Sequence, residues 1–202
     1  MGAPERARVR PSVEYPNGLL YESSFVTHEE EQALLAFVET LTFDAVEMRG
    51  QVARRTVRHF GVDYRFDTGA VVATEPIPDE LETLRARAAA WIERDTQDLA
   101  EALVTRYPPG ATIGWHRDAP AFGSRVVGIS LLAPARMRFR RTTKAGSAVF
   151  DLVLEPRSGY VLGGAARASW QHSIPAVKEL RYSVTFRTVR RARGANARAE
   201  ES

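Results

Sequence analysis

From about residue 102 onward the chain is a succession of short strand-like runs: "EALVTRY", "ATIGWHRD", "RVVGISLL", "RMRFRRT", "AVFDLVLE", "GYVLGG" and "LRYSVTFRTV". Turn-forming segments, "YPPG", "LLAPA", "TTKAGS" and "EPRSG", separate them. Many short strands at close, regular spacing close into a β-sandwich or jelly roll, and they leave no room for the crossover helices of a parallel α/β fold. Two helical segments precede this region. In the first, Thr27 and Glu30 fit a capping box ahead of the apolar stripe Leu34, Leu35, Phe37, Val38 and Leu41. The second follows Pro78 and Asp79. The fold class expected is mainly β with flanking helices (α+β), a double-stranded β-helix whose helices brace one sheet. Residues 1–12 and 191–202 read as flexible tails around one domain over 13–190.

Composition narrows the chemistry. The 202 residues include no cysteine, so disulfides and thiolate metal sites are excluded and any metal must be held by His, Asp or Glu. No run reaches the roughly 20 apolar residues of a membrane helix, and the N-terminus has no signal-type apolar segment. The expected location is the cytoplasm, with no membrane partner. Of the 28 basic residues only Lys144 and Lys178 are lysine. Arginine binds phosphate bidentately and stacks on bases, so a polyanionic partner fits, although a GC-rich genome produces the same bias.

Of the four histidines, His116 stands two residues before Asp118 in a strand-like run. Residues two apart on a strand share a face, so one imidazole and one carboxylate can reach the same ion. His172, in the same β-rich half, is the best third donor. His28 lies in the first helix cap and His59 in an arginine-aromatic segment. Two histidines and one carboxylate with open positions form the facial triad of non-haem Fe(II) oxygenases. A His-x-Asp pair alone is a weak signal. "RYSVTFR" strengthens it, because it puts Arg181, Ser183, Thr185 and Arg187 on one face and Tyr182, Val184 and Phe186 on the other. Buried arginines need anionic partners, and two of them suit a small dicarboxylate. The same pattern also fits an edge strand with a solvated polar face.

Taken together, "RYPPGATIGWHRD", "WQHSIP", "RYSVTFR" and the strand spacing between them resemble the AlkB family of Fe(II)- and 2-oxoglutarate-dependent dioxygenases over about residues 102–190, the expected jelly-roll core. The resemblance implies iron bound by His116, Asp118 and His172, which are also the catalytic centre. It implies a 2-oxoglutarate pocket with Arg181, Arg187 and the Tyr107 hydroxyl, and it implies dioxygen as the oxidant. Ser183 and Thr105 stand where many members carry Asn. Residues 49–69 resemble the family's substrate lid, in which Tyr64 or Phe66 would stack on a flipped base and Arg54, Arg55, Arg58 and Arg65 would hold phosphates. The same residues also suit ordinary strand aromatics and a solvated face. "RMRFRRTTK" reads as a charged outer strand ahead of a nucleic-acid contact.

The activity implied is oxidative demethylation of alkylated nucleic acid by a monomer, DNA ahead of RNA, with formaldehyde, succinate and CO2 released. Ala119 and Pro120 depart from the acidic residues that repair members often carry after the metal aspartate. An oxygenase acting on RNA or protein, a non-catalytic jelly roll and a zinc hydrolase are the alternatives.

Overall fold

The computed structural model describes residues 15–48, 50–65, 68–144 and 146–190. Both tails read from the sequence lie outside the described residues, as does Phe66. Thirteen strands and three α-helices follow one another as β1 (Leu19–Glu22), α1 (His28–Val38), β2 (Asp44–Met48), β3 (Gln51–Phe60), β4 (Val62–Tyr64), β5 (Val71–Ala73), α2 (Asp79–Trp91), β6 (Glu101–Tyr107), β7 (Ile113–His116), β8 (Phe122–Leu131), β9 (Ala135–Thr143), β10 (Gly146–Leu154), β11 (Gly159–Leu162), α3 (Gly164–Ala168), β12 (Gln171–Ile174) and β13 (Arg181–Val189).

They form a major sheet of seven strands, β1-β11-β8-β13-β6-β3-β2, a minor sheet of four, β10-β9-β12-β7, and a two-stranded β4-β5 ribbon. This is the jelly roll expected from the strand spacing. The segment read as a lid divides in two: β3 is a strand of the major sheet, and β4 with β5 makes the separate ribbon.

Alternation along each central strand sorts its side chains into two apolar layers. On β13, Tyr182, Val184 and Phe186 join Val104 of β6 and Val127, Ile129 and Leu131 of β8 beneath α1 and α2. The opposite face looks into the sandwich, where Val126, Tyr160 and Leu162 meet Met137 and Phe139 of the minor sheet. Phe186 is fully buried, so truncation to Ala would cost about 3–5 kcal/mol.

The first helix starts where the sequence puts it. Thr27 Oγ1 accepts the Glu30 amide hydrogen at 3.2 Å, and Glu30 Oε2 accepts that of Thr27 at 2.8 Å. Glu30 also ties α1 to α2, because Arg87 donates both to Glu30 and to the Phe25 carbonyl. Glu31, the next residue, is buried and accepts the Leu132 amide at 3.0 Å, which docks the helix on the end of β8.

Arg87, with help from the Thr27 amide, holds the Glu30 carboxyl down to about 2. A native pKa below the unfolded value stabilises above the unfolded pKa, and that increment is lost as pH falls through the folded one. Urea titrations are therefore expected to show stability declining from about pH 4.5 toward pH 2, with a shallower decline in Glu30→Gln. At neutral pH, Thr27→Ala is expected to lower stability by about 1 kcal/mol.

Candidate metal centre and co-substrate pocket

The inner face of the major sheet is polar at its centre, which is costly in a sandwich unless every charge finds a partner. The β13-β6 register sets Arg181 opposite Tyr107, Ser183 opposite Thr105 and Arg187 opposite Glu101. On the other side, Ser183 is paired with Ser130 of β8. Arg181 and Glu101 are both fully buried, and Thr105, Ser130 and Ser183 are buried beside them.

His116 and His172 are directly opposite each other on neighbouring strands β7 and β12, and their ring centroids are 4.2 Å apart. Asp118 follows β7, with Oδ2 3.8 Å from His172 Nε2. The structure thus places the three residues expected to meet near one another. Among the described residues, no three His, Asp or Glu side chains stand at the distances of a closed metal site. The β7-β12 pairing fixes the Cα positions of His116 and His172.

His172 and Asp118 are in the form that a metal needs. His116 Nδ1 lies 2.9 Å from the Gly114 carbonyl. That oxygen can only accept, so Nδ1 carries a hydrogen and Nε2 is the nitrogen that could face a metal. Burial, together with the neighbouring His116, lowers His172 to about 4 despite the opposing pull of Asp118, so its ring is neutral at pH 7. Burial raises the Asp118 carboxyl, but Arg187, His172, Arg167 and His116 outweigh it and hold it down to about 2. Asp118 Oδ1 accepts from Arg187 Nε and Nη2 at 3.2 and 3.0 Å. Asp118 Oδ2 is buried without a hydrogen-bond partner. A buried carboxylate oxygen left open beside two histidines fits a divalent cation.

Arg181 carries the second orphaned group. Its Nη2 donates to Ser130 Oγ at 2.9 Å, and its guanidinium lies 4.6 Å from the Tyr107 ring centroid. Nε and Nη1 are buried without partners. Burial lowers its pKa, partly offset by Tyr107 and Tyr160. A buried guanidinium with open donors in a closed interior matches a carboxylate. Arg187 differs, because Asp118 and Glu101 Oε2, the latter at 2.8 Å, occupy its fork.

The expected substrate residues separate. Tyr64 reaches the site's edge: its ring centroid is 5.9 Å from that of Phe122, and Arg187 lies 4.9 Å over Phe122. Arg55 points inward, donating to the Thr112 carbonyl at 3.4 Å; burial lowers its pKa, offset by nearby Tyr107. Arg54 lies against the Gly110 turn. Arg58 is on the helix side, opposite Val104, and pairs with Glu75 at 2.6 Å and Asp44 at 3.9 Å. The structure therefore does not bring Arg58 to the pocket.

Three residues around the site are missing from the sequence reading. Glu101 was legible in principle, as a carboxylate on the same strand face as Thr105 and Tyr107. Arg167 of α3 donates to the carbonyls of Asp118 and Ala119 at 3.2 and 3.0 Å, and nothing in its local sequence points there. Tyr160, pushed up by burial, faces Gly128 across β11-β8; a Cβ at Gly128 would run into its ring.

A jelly roll with two histidines and one carboxylate at one end of its interior, and an arginine fork deeper within, has the parts of a mononuclear non-haem iron oxygenase. The family model described as the 2OG-Fe(II) oxygenase superfamily matches residues 31–192. An Arabidopsis thaliana protein, "Alkylated DNA repair protein ALKBH8 homolog", is 32% identical over 181 residues, covering 78% of this chain and 51% of its own. A Xenopus tropicalis protein, "tRNA (carboxymethyluridine(34)-5-O)-methyltransferase alkbh8", is 28% identical over 166 residues, covering 79% of this chain and 25% of its own. The chain thus spans between a quarter and about half the length of these curated relatives. The solved structure "The structure of OsALKBH1" shares the fold, with a TM-score of 0.61 at 16% identity over 88% of this chain and all of that one. The chain belongs to the 2OG-Fe(II) oxygenase superfamily, and the relatives it is similar to carry AlkB-homologue names. That superfamily uses ferrous iron, 2-oxoglutarate and dioxygen.

If Arg181 carries the distal carboxylate, Arg181→Met is expected to weaken 2-oxoglutarate binding at least about tenfold. Mn(II) binding in the absence of 2-oxoglutarate should stay close to wild type. Titration calorimetry under nitrogen checks both.

Proposed function

We propose that the chain oxidises an alkyl group on a nucleic-acid base, and that single-stranded RNA is the substrate it takes. The observation that carries this reading is the outer face of the minor sheet, behind the metal site. Trp115 lies beside His116 on β7 and faces outward, with Arg140 4.4 Å and Arg138 5.7 Å over its ring. Stacked arginine and tryptophan on an open sheet face suit bases and phosphates more than an acidic peptide. Tyr64 packs against Phe122, over which Arg187 lies. A base has to leave its stack to reach Asp118, and a single strand avoids the cost of unpairing. RNA is placed ahead of DNA for two reasons. Ala119 and Pro120 give no acidic partner for a cationic methylated base, and the Xenopus relative's name refers to a tRNA uridine. The Arabidopsis relative's name favours DNA as the second reading.

When bound, iron with 2-oxoglutarate and dioxygen inserts one oxygen atom into a C–H bond and releases succinate and CO2. The protein's part is placement. Arg181 holds a carboxylate in the dry interior, Arg187 orients Asp118, and the surrounding core keeps water away. An N-hydroxymethyl product then breaks its C–N bond, giving formaldehyde and returning the proton to nitrogen.

The test is formaldehyde and succinate release from matched RNA and DNA oligonucleotides bearing one N-methylated base, and from an N-methylated peptide. RNA is expected to give the most formaldehyde, in step with succinate. A higher yield from DNA would move the assignment to DNA, and release from the peptide alone would overturn it. Tyr64→Ala is expected to raise KM for the oligonucleotide while leaving substrate-free consumption of 2-oxoglutarate unchanged.

A further inference from the structure

Glu101 is a buried carboxylate that the reaction does not obviously use. It is fully buried on the inward face of β6, directly opposite Arg187. Both of its oxygens are occupied. Oε2 accepts from Arg187 Nη1 at 2.8 Å. Oε1 lies 3.1 Å from His59 Nδ1, and a carboxylate can only accept, so His59 donates. His59 is in turn 3.4 Å from Asp63 at the start of the β4-β5 ribbon.

Arg187 is therefore held at two ends. Nη1 belongs to Glu101, while Nε and Nη2 converge on the single oxygen Oδ1 of Asp118. A guanidinium free to choose takes a carboxylate fork to fork, one nitrogen on each oxygen. That arrangement would occupy Asp118 Oδ2, the oxygen that is open here. Charge leads to the same conclusion. With Glu101, the buried set Glu101–Arg187–Asp118 has one net negative charge for a divalent cation. Without Glu101, Arg187 and Asp118 neutralise each other, and the metal must compete with a buried guanidinium for its only anionic donor.

We propose that Glu101 is a positioning residue: it anchors Arg187 so that the guanidinium grips one oxygen of Asp118 and leaves the other to the metal. This inference rests on the ferrous-iron and 2-oxoglutarate chemistry of the family and not on the choice of nucleic acid, so its test uses no nucleic acid. Ligand-orienting residues of this kind are typically worth about 10–100-fold in metal affinity.

The experiment measures Mn(II) affinity anaerobically by calorimetry on Glu101→Gln, Arg187→Leu and Glu101→Leu/Arg187→Leu, alongside unfolding midpoints. Glu101→Gln is expected to bind Mn(II) about 10–100-fold more weakly than wild type. At saturating Mn(II), its affinity for 2-oxoglutarate should be within about twofold of wild type, because Arg181 is untouched. The double variant is expected to bind Mn(II) as Arg187→Leu does, since Glu101 acts only through Arg187. It removes Glu101 and Arg187 together, so neither of those two is left buried without the other, and it carries the test if Glu101→Gln does not fold. Wild-type Mn(II) affinity in a folded Glu101→Gln overturns the proposal. So does a double variant that binds Mn(II) clearly more weakly than Arg187→Leu. Neither result depends on oligonucleotide turnover, so the choice of substrate can fail independently.

Discussion

The structure depends on a charge ladder built into the inner face of a β-sandwich. Such interiors are ordinarily apolar, and an arginine as buried as Arg181 is tolerated only where an anion answers it. Here the strand register supplies the answers. Arg187 is opposite Glu101 and reaches on to Asp118, while Arg181 is opposite Tyr107 and keeps two donors open. The rest of the fold makes the ladder affordable. The helices cover the other face of the major sheet, where Tyr182, Val184 and Phe186 contribute a conventional core.

Two kinds of incompleteness define the site. Asp118 Oδ2 and the Nε and Nη1 atoms of Arg181 are buried polar atoms without hydrogen-bond partners, and each is the complement of a group the family uses. The carboxylate oxygen asks for a cation and the guanidinium asks for an anion. Both face the interior of the sandwich, with His116 and His172 at the cation end. The neutral state of His172 and the ionised state of Asp118 belong to the same design, since burial drives the first and Arg187 with its neighbours holds the second.

Much of this was legible in the sequence, for period-two reasons. The spacing of Arg181, Ser183, Thr185 and Arg187 assigned one face, and His116-x-Asp118 with His172 named the donors before any strand was placed. The capping box at Thr27 and Glu30 located α1 because it is a local signal. What stayed hidden was non-local. Arg167 reaches the Asp118 carbonyl through a short helix whose position depends on the whole sandwich. Glu101 gained its meaning only when the β6-β13 register put it against Arg187. Arg58 shows the opposite error: a basic residue in a lid-like segment turned to the helix side, because β3 belongs to the major sheet and its even positions face away from the pocket.

The central claim is that His116, Asp118 and His172 close on one ion, and anomalous diffraction from a crystal grown anaerobically with Mn(II) and 2-oxoglutarate tests it most directly. The expected result is a single manganese peak bonded to both imidazoles and to Asp118 Oδ2, with Oδ1 still held by Arg187 and a 2-oxoglutarate carboxylate on Arg181. A manganese peak elsewhere, or one that leaves any of the three side chains uncoordinated, would contradict the account.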